Sequence, residues 1–281
     1  MIRARPCALA AIIAGILSSP APAGAWGASA QKVITTKAVD TLPPELREFF
    51  EAHKGMLALQ SAEPLESQSK IHAAERLNHY IYLDRYGRFP FDALPRDYKS
   101  ALRTFGKSRI DANGVLPWQV GVYSDRLASA MRAGKWDEAR QLAATLAYYV
   151  AATHDPFNTT DNSDGQLSGQ NGVRLRFGLT LVDRFSLFFF VRPNDAAYIS
   201  QTSHDRAFES CLSAHSWLEN ILLADRRARS GLPDYTDEYY DRFYNQTGAI
   251  LIRQISEAAA DVGSFWLTAW INAGRPALPA R

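Results

Sequence analysis

Apolar residues recur at intervals of three and four along most of the chain, and strict alternation is scarce, so the pattern predicts helices rather than strands. The pair Pro43-Pro44 opens a helix whose apolar face takes in Leu46, Phe49, Phe50 and Met56 to Leu59. LPRDYKSALRTFGK begins with a proline and stops at Gly106. PWQVGVYSDRLASAMRAG sets Val120, Tyr123, Leu127 and Met131 on one stripe and stops at Gly134. WDEARQLAATLAYYVAATH follows with Leu142, Leu146 and Tyr149 on a common face. Two longer helical patterns cover 194–230, with a break inside it, and 236–273. Segments 61–68 and 155–172 read as polar or irregular loops, and FSLFFFVRP is the most apolar run after the amino-terminal region. The expected fold is all-α, a single-domain helical bundle with long helices.

Residues 1–25 have the features of a secretory signal peptide. Arg3 and Arg5 form a basic start, Cys7 to Leu17 is uncharged and apolar, and Ala23-Gly24-Ala25 is a small-residue cleavage signal. The domain is then expected over 26–281, in a secreted or periplasmic protein, and no later segment approaches a membrane span. Losing Arg3 and Arg5 leaves 29 basic against 29 acidic residues. That balance gives no overall pull toward nucleic acid, although a local patch stays open. Cys211 is the one cysteine left, which excludes an internal disulfide and reads as a buried helical thiol.

Five stretches, in order, resemble the zinc-dependent phospholipase C family and the related single-strand-specific nucleases. They are WG at 26–27, NHYIYLDRYG at 78–87, GVLPWQV at 114–120, DPFNTTDNSDGQ at 155–166 and LTAWINAGRPALP at 267–279. The resemblance implies an all-helical domain of the phospholipase C/nuclease type. It also implies three zinc ions in a cleft, held by the mature amino-terminal tryptophan and by histidines and carboxylates, which activate water for phosphodiester hydrolysis.

At the positions where the resemblance places those ligands, Trp26 and His79 match. Gln31, Tyr148, Asn158 and Arg174 replace expected histidines, and Ala152 and Gly178 replace expected carboxylates. A further expected aspartate falls near Leu65, with Glu66 as its neighbour. Zinc needs nitrogen, sulfur or carboxylate donors. A neutral phenol is a poor ligand, Ala152 and Gly178 bring no donor, and Arg174 is a permanent cation that repels a metal. No metal or other cofactor is therefore expected, the alternative being one weakly held zinc at Trp26, His79 and a stray carboxylate. Arg174 is expected either to pair with Asp84, Asp155, Asp161 or Asp164 or to hold an anion. Tyr80, Tyr82, Tyr148, Tyr149 and Phe157 fall around the former cleft, as packing or as a lining for a lipid chain or a base.

Other chemistry is thin. His154 reads as a histidine interacting with the end of its helix, and His204 and His215 as surface or core-edge groups. No Gly-x-Ser-x-Gly elbow and no phosphate-binding glycine loop is present. The expected function is an exported, catalytically inactive relative of zinc phosphodiester hydrolases. Its candidate binding residues are Trp26, Gln31, His79, Tyr148, Ala152, Asn158, Arg174 and Gly178, for an anionic or phospholipid-like ligand or a protein partner. Two other readings stand beside it. One is an active hydrolase with a reduced or relocated metal site drawn from Asp84, His79, Asp161, Asp164 and His154. The other is a metal-free hydrolase using His79 or His154 as base.

Overall fold

The computed structural model describes residues 26–66 and 73–279. The expected signal peptide, Cys7, His72 and the end of the 61–68 loop lie outside the described residues, as do the side chains of Leu65 and Glu66.

The described residues form an all-α bundle without strands. Its helices are α1 (Ala28–Asp40), α2 (Pro44–Ala52), α3 (Lys54–Glu66), α4 (Ala73–Arg76), α5 (Tyr98–Phe105), α6 (Lys107–Asn113), α7 (Leu116–Arg132), α8 (Trp136–Thr153), α9 (Val173–Leu175), α10 (Leu181–Phe185), α11 (Ser203–His215), α12 (Leu218–Arg229) and α13 (Asp237–Asn272). A π-helical turn, Arg176–Thr180, joins α9 to α10.

The layering follows from which stripes are apolar. Helices α7 and α8 lie side by side, with α3 and α1 on one flank and α11 on the other, and the 36-residue α13 runs along α1, α7 and α8. Helix α13 is buried along one face through Phe243, Leu251, Ile255, Val262, Phe265 and Trp266. Trp266 stacks on Phe50 with ring centroids 4.5 Å apart and donates its indole N–H to the Ala143 carbonyl at 3.0 Å. At Gly263, α1 and α13 come so close that a Cβ there would stand 2.0 Å from Thr41 Oγ1, which only glycine avoids.

Several sequence expectations change. The helix expected across 43–59 is two, α2 and α3. Its hydrogen-bond ladder is interrupted at His53, whose ring bonds the Phe49 carbonyl at 2.8 Å. Residues 61–66 are helical rather than loop. Helix α1 was not foreseen, because its inward positions Ala30, Gln31, Ile34, Thr35 and Ala38 are mostly small or polar and make a weak stripe. The pattern over 194–230 begins as helix only at Ser203, and it breaks between α11 and α12.

Residues 189–202 form an extended strap instead of helix. Pro193 lacks the N–H a helix needs, and side chains of α13 satisfy the strap's backbone. Ser256 Oγ, Ser264 Oγ and Thr268 Oγ1 accept from the N–H groups of Arg192, Ala197 and Ile199 at 3.2, 3.1 and 2.9 Å. Cys211 is fully buried in α11, and burial pushes its thiol well above the usual range.

Candidate functional site

Hydrogen bonds tie most of the eight candidate positions to α8 or to one another. His79 ends a short 3₁₀ turn, Leu77–His79, and the chain on either side of it is pinned in place. The Val115 N–H donates to the Leu77 carbonyl, and the Ile81 N–H donates to the Asn158 carbonyl, both at 2.8 Å. Gly114, at φ +86°, lies where a Cβ would be 2.1 Å from the Tyr80 carbonyl oxygen, so that seam also requires glycine. Trp26 donates its indole N–H to Ala151 O at 2.9 Å, Gln31 its amide to Ala147 O at 3.4 Å, and Asn158 its amide to Ala152 O at 2.9 Å. The Gly178 carbonyl, in the π turn, accepts from the Gly27 N–H at 3.2 Å.

Two parts of this cluster behave differently. In the first, Arg174 on α9 is buried and donates to Asp155 at 3.2 Å and to the Asn158 side-chain oxygen. Asp155 is buried too, which pushes its carboxyl up, while Arg174 and the Phe157 N–H pull it back. Of the four aspartates weighed as partners, Arg174 takes Asp155. Asp84 instead accepts from Thr160 and from the Asp161 N–H, Asp161 pairs with Arg85, and Asp164 accepts from the Gly172 N–H at 3.0 Å. The charge of Arg174 is thus met from inside the protein.

In the second part, the His79 ring meets the Tyr148 hydroxyl through Nδ1. Tyr148 has no other hydrogen-bond partner, so its O–H donates to Nδ1, and the remaining ring proton of a neutral His79 sits on Nε2. Only 2% of His79 is exposed, and Nε2 has no partner among the described residues. Burial holds the imidazole down at about 4, with Glu75 raising it and Arg174 lowering it, so it is neutral near pH 7. His79 and Tyr148 border a cavity of about 530 Å³ that also includes Gln60, Glu63, Glu75 and Tyr149. Gln60 Oε1 is likewise unpartnered, and the Tyr149 hydroxyl donates to Glu75 at 2.6 Å.

Of the aromatics expected around the cleft, Tyr148 and Tyr149 border the cavity. Phe157 is buried against Phe177, and Tyr80 stacks on Tyr82 with centroids 4.4 Å apart. His154 stands at the end of α8 as expected, as its C-cap, but its side chain takes a partner that the expectation did not include. It is buried and bonds Asp261 on α13 at 2.9 Å through Nε2. Asp261 also accepts from Arg206 and Ser210. Burial pushes the Asp261 carboxyl up, yet His154 and Arg206 outweigh it and hold the group at about 2. Sequence spacing could not signal this pairing, since the two partners are far apart in the chain.

The donor chemistry does not fit a zinc cluster. Tyr148 spends its proton on His79, Asn158 spends its side chain on Arg174 and Ala152, and Arg174 brings positive charge. Among the described residues no three His, Cys, Asp or Glu side chains stand together as a metal-holding group. Of the alternative donors, Asp84 and Asp161 share one hydrogen-bond group, Asp164 caps the Gly172 N–H, and His154 pairs with Asp261 on α13.

No family model matches the chain, and no curated protein matches it in sequence. The fold is similar to that of an alpha toxin from Clostridium absonum, with a TM-score of 0.50 and 12% identity over 88% of this chain. The match takes in 64% of the toxin's length, so this chain spans under two thirds of it. At that identity the likeness shows the fold, which is the all-α phospholipase C fold.

Proposed function

We propose that this chain is an exported, non-hydrolytic protein of the phospholipase C fold that binds a small polar ligand in the His79–Tyr148 cavity. The observation that carries this reading is His79 Nε2: a buried ring nitrogen left unpaired on a residue that lines a 530 Å³ cavity, whereas Gln31 and Arg174, which also keep an unpaired side-chain atom, do not line it. A buried polar atom without a partner is costly, so a ligand that satisfies it gains affinity. Both atoms are buried, so a shift of the lining side chains would bring the His79 Nε2–H to an acceptor and Gln60 Oε1 to a donor of the ligand, with an apolar part against Tyr149. Export rests on the signal-like residues 1–25.

The cavity's charge refines the ligand. Glu63 and Glu75 line it, His79 is neutral, and Arg174 is not among its lining residues. An uncharged or zwitterionic group, such as a phospholipid-like headgroup, suits this lining better than a free anion. Thermal unfolding with glycerophosphocholine and, separately, with inorganic phosphate tests it. Glycerophosphocholine is expected to raise Tm and phosphate to leave it unchanged, with about 2.7 kcal/mol of stabilisation at a hundredfold excess over Kd. Stabilisation by phosphate alone, unaffected by His79→Ala, would overturn the reading.

One observation favours the second reading, a hydrolase with a reduced metal site. The same His79 nitrogen is free, and Glu75 acts on it electrostatically. Zinc-dependent cleavage of a phosphodiester, lost in His79→Ala, would select it.

A further inference from the structure

We propose that the turn between α10 and the extended strap docks this protein onto an anionic phospholipid bilayer surface. The turn inserts Leu187, Phe188 and Phe190, and Arg192 meets a lipid phosphate. This site is separate from the His79 cavity and does not depend on it.

The apolar run FSLFFFVRP splits into inner and outer residues. Phe185 and Phe189 stack on Tyr244 of α13, at centroid distances of 4.2 and 6.2 Å, and fix the turn to the bundle. Between and beyond those anchors, Leu187 is 95%, Phe188 72% and Phe190 64% exposed. Leaving three large apolar side chains in water forgoes burial that the core takes elsewhere, so something else is expected to cover them.

Charge and area argue for a bilayer. Residues 185–192 carry no acidic side chain and one cation, Arg192, whose guanidinium lies 3.8 Å from the centre of the Phe190 ring. Arg192 makes no ion pair among the described residues. It stands at the rim of a polar recess of about 450 Å³ that also includes Asn194, Ser213 and Ser256, which has room for a headgroup. The acidic side chains of that recess each lie beside an arginine: Glu257 beside Arg253, and Glu209 and Asp261 beside Arg206. An apolar tip with a cation at headgroup depth is the arrangement that interfacial binding uses. A second copy of the chain fits less well, because three side chains on a narrow turn fall short of the roughly 1,200 Å² that a stable interface buries.

The test is co-sedimentation of the full chain with vesicles of phosphatidylglycerol and phosphatidylethanolamine, and with vesicles of phosphatidylcholine alone. Binding to the anionic vesicles is expected. It should fall about tenfold or more in the L187S/F188S/F190S variant, and by a smaller factor in Arg192→Gln. These positions are exposed, so unchanged thermal unfolding verifies that the variants fold. His79→Ala should bind vesicles as the parent does, which separates failure here from failure of the cavity reading. Equal sedimentation of parent and triple variant would overturn the proposal. So would self-association of the parent that the triple variant abolishes while neither binds vesicles.

Discussion

Arg174 and His79 stand where the resemblance places zinc ligands, yet they have opposite surroundings. Arg174 is closed in by Asp155 and Asn158, both bonded through one guanidinium nitrogen, so its charge is met in the protein interior although its Nε has no partner among the described residues. His79 has one nitrogen on Tyr148 and the other unpaired beside a cavity. One cleft therefore holds two arrangements. A buried cation can be met by a carboxylate, and that region then holds structure. A buried imidazole can also be left half-satisfied beside a cavity, and that region is where we propose a ligand binds. Fold and function part at this point, because the bundle accommodates both arrangements while only the second offers an unpaired group beside a cavity.

If that contrast holds, the largest effect belongs to the closed half. Arg174→Met leaves the Asp155 carboxylate buried without its partner and should cost about 3–5 kcal/mol in denaturant unfolding. Adding Asp155→Asn should recover part of the loss. A variant as stable as the parent would mean that the pair does not close the cleft.

The next effect belongs to the open half and appears as pH dependence. His79 is held near 4 in the folded chain against an ordinary 6.5, so between those values the unfolded chain binds the extra proton. Its contribution is full above pH 6.5 and is lost as pH falls toward 4, by up to about 3 kcal/mol. Carboxylates titrate at the acid end of the same range. The stability difference between the parent and His79→Gln across pH 4 to 7 isolates the histidine, and parallel curves would contradict its buried, neutral state.

The smallest effect is at the cavity's edge. Tyr149→Phe removes the 2.6 Å hydrogen bond to Glu75, whose other side faces solvent, and should cost about 0.5–1.5 kcal/mol. A loss as large as that of Arg174→Met would show the cavity wall to be as tightly built as the closed half.

Sequence pattern reached some parts of this molecule and not others for physical reasons. Helix α7 buries a stripe that includes Val120, Leu127 and Met131, and α8 is a long run of helix-forming, mostly apolar residues; both hydrogen-bond within themselves, so local pattern was sufficient. The strap at 189–202 takes its partners from Ser256, Ser264 and Thr268, far away in sequence, and no local pattern encodes that. The ordered resemblance picked out Trp26, Gln31, His79, Tyr148, Ala152, Asn158, Arg174 and Gly178, of which His79 and Tyr148 border the cavity. Which of them would be closed and which open was not legible, because it depends on where Asp155 and Gln60 point. The outward turn of Leu187 and Phe188 was hidden for a related reason: an apolar run reads as core unless one knows which of its members the core accepts.

Zinc binding to the purified protein, measured by elemental analysis and by thermal unfolding with and without chelator, bears on the central point most directly. Well under one zinc per chain and an unchanged Tm in chelator are the results that a cleft with Arg174 closed onto Asp155 requires. Two or three zinc ions per chain, retained through dialysis and lost together with several degrees of Tm in chelator, would show that this cleft holds metals.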